Sequence, residues 1–189
     1  MKTEKEKMLA GEIYDCSAPE LWERWHLAKR LQWEYNNTPS DDAGRLSGLL
    51  DRLLGSRGEH VWISAPFLVD YGENIHLGHH VEINMDCVFL DCNRITIGDY
   101  TGIGPGVHIY TVFHPTDPGE RRSANGPFWN SAALPVTIGN NVWVGGRSVI
   151  LPGVTIGDGT TIGAGSVVTR SIPARVVAAG NPCRVIRHL

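Results

Sequence analysis

Aliphatic side chains recur every six residues over most of the chain after residue 60. The longest run has six consecutive positions, and two shorter runs with the same spacing precede it. These positions are Ile138, Val144, Ile150, Ile156, Ile162 and Val168, preceded by Ile97, Ile103 and Ile109 and by Ile63, Val69, Ile75 and Val81. A six-residue unit is too short for a helix pair or a propeller blade, but it fits one short strand and one corner of a β-helix. The pattern therefore predicts a mainly β fold, a parallel β-helix in which three units make each coil and the aliphatic side chains stack inside it.

Residues 1–60 follow a helical pattern instead. Ser17 and Glu20 have the spacing of a capping box, which predicts a helix from there to about Tyr35. A second helix is predicted from leucines at helical spacing, with Gly55 as its C-cap, and a short helix fits residues 4–10. The leucines are Leu46, Leu49, Leu50, Leu53 and Leu54. These amphipathic helices need another surface to cover.

Composition supports this division and excludes some classes of function. Residues 1–60 hold 5 of the 22 glycines and residues 61–189 hold 17, as expected if glycine turns the corners of the repeat. The net charge of −3 argues against a nucleic-acid-binding protein, and no apolar run is long enough to span a membrane. No export signal is visible in the charged first residues, and the cysteines form no C-x-x-C pair. We therefore expect a cytoplasmic protein with reduced thiols at Cys16, Cys87, Cys92 and Cys183.

The repeat is interrupted between about residues 110 and 135. This stretch contains His114 and Pro115 as well as Phe128 and Trp129, and it has no six-residue register. A long loop inside a regular solenoid is uncommon and usually functional. We therefore expect the chemistry of the protein at this loop.

Several segments of the chain are similar to those of a known family. The segments are Met8–Asp15, Asn74–Gly78, His114–Pro115, Ile138–Gly145, Ile162–Thr169 and Val177–Arg187. They resemble the maltose and galactoside O-acetyltransferases, which are hexapeptide-repeat acyltransferases with a helical N-terminal segment, and the likeness covers nearly the whole chain. The resemblance implies a left-handed β-helix that forms a homotrimer, binds acetyl-CoA in clefts between subunits and acetylates a small sugar such as maltose, glucose or a galactoside. It also implies a helical segment over residues 1–60, which serves the acceptor site and packing, and an acyltransferase domain over residues 61–189 with an inserted loop at about 110–135.

Acetyl transfer to a hydroxyl needs a base, because a neutral hydroxyl is a poor nucleophile, and histidine suits this role with its ordinary pKa of ~6.5. His114 lies in the loop that interrupts the repeat, although taken alone it could be an ordinary loop histidine. The resemblance implies that His114 is the general base towards the acceptor and then the proton donor to the CoA thiolate. It further implies that the amide of Asn84 stabilises the oxyanion, although asparagine is also common at β-helix corners. A backbone N–H around Gly145 or Gly146 is a candidate second donor.

The candidate acceptor-binding residues depend on the same resemblance. They are Asp15, Asp70, Tyr71 and Asn84. Asp15 could equally cap the helix expected near Ser17. Cys92 departs from the galactoside enzymes, which by resemblance carry an acidic sugar ligand there, and this weakens a galactoside as the acceptor. Trp129 could stack on a sugar or pack at the trimer interface.

The last third of the chain is the expected binding region for acetyl-CoA. Residues 136–189 contain five arginines against one aspartate, and guanidinium groups suit phosphate binding. By resemblance, the phosphate and nucleotide contacts come from Thr169, Arg170, Arg184 and Arg187. Backbone contacts to pantetheine are expected at Gly146 and Ala164. Trp143 could wall the pantetheine tunnel or could be covered by the next subunit.

Other functions remain open at this point. A metal site at His76, His79, His80 and His108 is disfavoured, because their spacing does not resemble that of the zinc-binding hexapeptide proteins, and direct acetyl transfer requires no metal. The acceptor could be an antibiotic, serine or an amino-sugar instead of a neutral sugar. A third alternative is a solenoid that binds other molecules without turnover. We expect no nucleic-acid or membrane partner.

Overall fold

The computed structural model describes residues 1–123 and 128–189 and shows a parallel β-solenoid with three faces, which confirms the mainly β prediction. The strands of the first face are Ser56–Arg57, Ile75–Leu77, Ile95–Ile97, Val136–Ile138 and Thr155–Ile156. Those of the second face are Trp62–Ile63, Glu82–Ile83, Gly102–Ile103, Trp143–Val144, Thr161–Ile162 and Val176–Ala179, with Arg184–His188 paired antiparallel at the end. The third face consists of Phe67–Val69, Cys87–Leu90, His108–Tyr110, Val149–Ile150 and Val167–Val168.

The aliphatic positions of the repeat form the interior of the solenoid, as the spacing predicts. All of them are at least 97% buried. Ile138 pairs with Ile156, and Val144 pairs with Ile162, 18 residues further along the chain in both cases. Each strand thus stacks its inward side chain on that of the next coil, at the usual strand spacing of about 4.8 Å.

The predicted coil of three six-residue units is wrong for the first turns of the solenoid. Ile63 pairs with Ile83 and Ile75 pairs with Ile95, so these coils are 20 residues long. The two additional residues lie at the corner between the third and first faces, because Val69 and Leu77 are eight residues apart whereas the equivalent Ile150 and Ile156 are six apart. Val81 is buried, but it occupies the corner two residues before Ile83 and does not stack on Ile63.

The helices are α1 (Glu4–Ala10), α2 (Pro19–Asn36), α3 (Ala43–Leu53) and α4 (Pro118–Arg121). The predicted capping box at Ser17 is wrong, because the Ser17 hydroxyl donates to Asp15 and α2 begins at Pro19 with no side-chain cap. Proline suits the first helical position, since its missing N–H would have no partner there. Gly55 is not the C-cap of α3, because Leu54 is; a Cβ on Gly55 would lie 2.2 Å from the carbonyl oxygen of Glu73, so the solenoid requires glycine there.

Helices α2 and α3 close the N-terminal end of the solenoid of their own chain. Leu31 and Leu50 belong to the same buried cluster as Phe67. The side chain of Asn36 donates to the carbonyl of Phe67 and accepts from its N–H, at 3.0 and 2.9 Å. Helix α1 contributes Met8 to a second, smaller cluster. Within the described residues, none of the helices is both long enough and apolar enough to cross a membrane.

The inserted loop leaves the third face through a short antiparallel hairpin. Val112–Phe113 pairs with Ala132–Ala133, and α4 lies between these strands in the chain. Residues 124–127 of the predicted loop lie outside the described residues. The hairpin places His114 at the edge where the third face meets the first.

Candidate active site

His114 is held in one orientation by the far side of the inserted loop. It lies directly after the hairpin strand Val112–Phe113, and its Nδ1 is 3.0 Å from the carbonyl oxygen of Asn130. The ring also packs edge-on against Trp129, with centroids 5.3 Å apart. A carbonyl oxygen can only accept, so Nδ1 carries the hydrogen, and the neutral ring has its free lone pair on Nε2. His114 is exposed, and this arrangement suits a general base.

Two neighbouring cavities lie beside His114, and we call them together the aromatic recess. A shallow cavity of about 320 Å³ is lined by His114, Trp129, Cys16 and Phe128. The last two residues also line the neighbouring cavity of about 290 Å³. Its further lining residues are Tyr14, Leu21, Trp22, Trp25, Asp70, Tyr71, Cys92, Val112 and Ser131. Trp22, Trp25 and Phe128 are walls of the recess that the sequence reasoning missed, although two tryptophans three residues apart on one predicted helix were a usable signal.

Asp70 and Tyr71 both line this recess, and their contact with the acceptor stays a prediction. Asp70 is the one carboxylate among the described lining residues. Its Oδ1 lies 3.6 Å from the Lys29 ammonium, and its Oδ2 accepts from the Cys92 thiol at 3.6 Å. Burial raises the pKa of the Cys92 thiol well above its usual value, and burial also raises the pKa of the Tyr71 hydroxyl. Cys92 and Tyr71 are therefore neutral near pH 7, and the charge at this wall belongs to Asp70 and Lys29.

A buried carboxylate that the sequence reasoning missed supports the turn with Asp70. Asp91 is fully buried and accepts from the N–H groups of Asp70 and Tyr71, at 3.0 and 2.9 Å, and of Asn74 at 3.3 Å. Burial raises the pKa of Asp91 to about 7, which the backbone hydrogen bonds partly oppose. No local sequence signal marks this role, because the bonds join residues about one coil apart.

Asp15 lies beside the recess but is engaged locally. Its Oδ1 accepts from the N–H and the hydroxyl of Ser17, at 2.8 and 2.6 Å, and its own N–H donates to Glu4. Its neighbours Tyr14 and Cys16 line the recess. Asp15 does not cap α2, which has no side-chain cap, and an acceptor contact by Asp15 stays a prediction.

Asn84 lies at the opposite edge of the third face from His114. It directly follows the second-face strand Glu82–Ile83, whereas His114 follows the last residues of the third face. The Asn84 side chain is exposed, and its oxygen accepts from the N–H of Met85 at 2.9 Å, which leaves the amide nitrogen to donate. The structure therefore does not bring Asn84 and His114 of one chain together.

The predicted CoA-binding residues are also divided between these two edges. Trp143 is 54% exposed on the second face, and Gly146 and Ala164 lie beside the corner that carries Asn84. Thr169 and Arg170 follow the third face at the edge of His114. Arg184 and Arg187 are exposed on the antiparallel strand that ends the second face. The N–H of Gly145 donates to the carbonyl of Ile162 at 2.8 Å, so Gly146 is left as the candidate backbone donor to an oxyanion.

The remaining histidines of interest have partners of their own. His76 contacts the Ser56 hydroxyl at 2.9 Å, and His108 contacts the Tyr110 hydroxyl at 2.6 Å. His80 stacks on Tyr100 with 4.6 Å between the ring centroids. Within residues 1–123 and 128–189, no group of three or more His, Cys, Asp and Glu side chains is arranged to hold a metal ion.

Comparison with known proteins identifies the family. Residues 7–58 match the maltose acetyltransferase hexapeptide capping motif, and residues 135–170 match the bacterial transferase hexapeptide of six repeats. The galactoside O-acetyltransferase of Escherichia coli K12 is 39% identical over 97% of this chain and 88% of its own length. The crystal structure of a maltose O-acetyltransferase from Clostridium difficile 630 matches with a TM-score of 0.96 at 44% identity, covering 100% of this chain and 98% of that one. A galactoside acetyltransferase in complex with coenzyme A matches with a TM-score of 0.93 at 38% identity, covering 100% and 92%. The chain therefore belongs to the maltose and galactoside O-acetyltransferase family, and it is an acetyltransferase.

Proposed function

We propose that the protein transfers an acetyl group from acetyl-CoA directly to a hydroxyl of a small sugar such as maltose, glucose or a galactoside, with His114 as the general base. The observation that carries this proposal is the His114 ring, whose hydrogen-bonded Nδ1 leaves Nε2 free to accept a proton beside the aromatic recess. A base poised near neutral pH and within reach of the hydroxyl contributes typically 10²–10⁴-fold in rate.

The reaction needs one proton to move twice. Nε2 of His114 accepts the hydroxyl proton while the acceptor oxygen attacks the thioester carbonyl. The negative charge on the resulting tetrahedral oxygen is stabilised by the Asn84 amide and the N–H of Gly146, which are both donors. The carbon–sulfur bond then breaks, and Nε2 returns the proton to the leaving thiolate of CoA.

A homotrimer explains how both groups reach one substrate. His114 and Asn84 lie at opposite edges of the third face, so one chain cannot aim both at a single carbonyl. If the Asn84 edge of one copy faces the His114 edge of the next, each cleft between two copies contains one Asn84 and one His114. Head-to-tail contacts of this kind generate a ring when the rotation closes, and in the proposed homotrimer three copies form that ring. The exposed Trp143 would be covered in that cleft.

The divided CoA-binding residues fit the same cleft. Trp143, Gly146 and Ala164 would contact pantetheine along one wall. The phosphates would be bound by Thr169, Arg170, Arg184 and Arg187, since this end of the chain has an excess of arginine. We also propose that the enzyme works in the cytoplasm, where acetyl-CoA is made and where its unpaired cysteines would stay reduced.

The recess suits a sugar-sized acceptor. Its aromatic walls offer flat apolar surfaces to the C–H faces of a ring, while Asp70, Tyr71 and Asp15 offer polar contacts to hydroxyls. Because Cys92 is neutral, Asp70 is the acidic ligand that we propose for the acceptor.

A thiol-release assay tests the proposal. Wild-type enzyme with acetyl-CoA is expected to release CoA faster with maltose, glucose or a galactoside than with serine, an amino-sugar or an aminoglycoside antibiotic. The His114→Gln variant should lose at least ~100-fold in kcat while calorimetry still detects CoA binding. The matched control is His60→Gln, at an exposed corner remote from the recess, which should keep wild-type turnover. Wild-type turnover in His114→Gln would disprove the general base, and preference for a non-sugar acceptor would change the substrate.

A further inference from the structure

We propose that Asn130 is a positioning residue for the acetyl transfer. Its side chain holds the two sides of the inserted loop together, and its own carbonyl thereby fixes His114 in the Nδ1–H form. The inference rests on the proposed function, since it matters for catalysis only if His114 is the base.

The side chain of Asn130 closes the neck of the loop, where Glu120–Arg122 lies opposite Trp129–Asn130. Its Nδ2 donates to the carbonyl oxygens of Glu120 at 2.7 Å and Arg122 at 3.2 Å. Its backbone N–H donates to the carbonyl of Arg121 at 2.9 Å, and Arg122 and Trp129 form an antiparallel bridge beside it. One residue thus contacts three consecutive carbonyls on the opposite side of the neck.

The same residue makes the shorter of two contacts with Nδ1 of the His114 ring, since the Ser131 hydroxyl lies further away, at 3.4 Å. The carbonyl oxygen of Asn130 accepts from Nδ1 at 3.0 Å. The next residue, Ser131, is buried, and its carbonyl accepts from the N–H of Tyr14 at 3.0 Å, which anchors the strand on the body of the protein. On the preceding side, Trp129 packs between the His114 ring and the guanidinium of Arg121, at 5.3 and 5.2 Å. The direction of this carbonyl therefore depends on how the neck is held.

Besides the bonds of Asn130, the Arg122–Trp129 bridge and the packing of Arg121 on Trp129 join the two sides of the neck. Helix α4 is one turn long and has no buried residue, so apolar burial does not fix it. Hydrogen bonds across the neck are then a main constraint, and the Asn130 side chain makes two of them. A free histidine in water prefers its hydrogen on Nε2, and the bond made by the other nitrogen decides which tautomer is present. If the carbonyl of Asn130 turns away, the ring loses the form that leaves Nε2 available as a base.

The Asn130→Asp variant separates positioning from folding. Aspartate keeps the size of the side chain but has no N–H to donate, and its charge repels the carbonyls of Glu120 and Arg122. We expect kcat to fall roughly 10- to 100-fold, as a misplaced catalytic group does, while the KM for acetyl-CoA changes less than about twofold. The matched control is Asn36→Asp, which removes an equivalent side-chain bond to the carbonyl of Phe67 and should lower thermal stability without changing kcat. Asn130→Ala serves as a second variant if Asn130→Asp folds poorly.

Two readouts distinguish positioning from a general structural effect. The ¹⁵N shifts of the His114 ring should report Nδ1–H in the wild type and a shift towards Nε2–H in Asn130→Asp. In a His114→Ala background, Asn130→Asp should change the residual rate by less than about twofold, because its effect passes through that ring. An unchanged tautomer, or a full loss of rate in the His114→Ala background, would overturn the proposal. If His114→Ala itself kept full turnover, the general base would be disproved, while the tautomer measurement would still decide whether Asn130 fixes the His114 ring in the Nδ1–H form.

Discussion

The stacked part of the solenoid, residues 136–168, and the inserted loop, residues 110–135, are built on different principles. In the solenoid, each inward side chain rests on an equivalent one, as Ile150 does on Val168. Its buried hydroxyls donate to corner carbonyls, as Ser148 does to Gly145 at 2.7 Å. In the loop, individual side chains bond to individual carbonyls, and few apolar groups are buried among its described residues, 110–123 and 128–135. Repetition supplies stability, whereas the loop supplies the group that we propose as the base.

This difference predicts where mutations act. A substitution in the stack should change the free energy of unfolding. Every coil packs only on its neighbours, so a packing defect in one coil is not compensated by other contacts. A substitution in the loop should change turnover with little effect on unfolding, since the loop adds little buried surface. The three active-site proposals, His114, Asn84 and Asn130, are accordingly all exposed or partly exposed.

The largest expected change in stability comes from adding a methyl group at Gly98, in the coil that packs against the first residues of this stack. A Cβ on Gly98 would lie 2.7 Å from the carbonyl carbon of Gly139 in the next coil, so Gly98→Ala forces the coils apart. We expect a loss of about 3 kcal/mol in the free energy of unfolding, at the upper end of what overpacking costs. The control is Gly48→Ala in α3, where a Cβ meets nothing within 4 Å and should add about 1 kcal/mol of stability. Denaturant unfolding of both variants measures these changes, and equal stabilities would contradict the importance of close coil contacts.

A smaller effect is expected from Asp91, at the boundary between solenoid and recess. Burial raises its pKa in the folded protein to about 7, above the usual value of about 3.9 for an unfolded chain. The folded state therefore binds the proton more tightly, so this contribution to stability is present below about pH 4 and is lost as the pH rises through about 7. Asp91→Asn should remove that part of the pH dependence. Unfolding of both proteins at pH 5 and pH 8 measures it, and parallel changes in the two would exclude a role of Asp91.

The sequence predicts regular features better than singular ones. The six-residue spacing identifies the solenoid because each inward position depends only on its neighbours. The same spacing predicts the wrong coil length for the first turns. Val81 is aliphatic, buried and six residues after Ile75, although it lies at a corner. The sequence also misplaces the start of α2, because Asp15 binds the hydroxyl of Ser17.

The candidate site shows the same limit. His114 stands out because it interrupts a repeat and precedes a proline. Asn130 and Asp91 do not stand out, because each acts through backbone groups that are distant in sequence, on Glu120–Arg122 and on Asp70–Asn74 respectively. The opposite positions of Asn84 and His114 could not be predicted without the faces on which they lie.

The central claim is that each active site combines His114 of one copy with Asn84 of another, and mixing two inactive variants tests it most directly. His114→Ala and Asn84→Ala are each expected to lose at least ~100-fold in rate. Co-expressed in equal amounts, they should assemble into mixed trimers in which one site of three pairs an intact His114 with an intact Asn84. Random assembly then predicts recovery of about a quarter of wild-type activity. Activity no higher than that of the separate variants would contradict a site shared between copies.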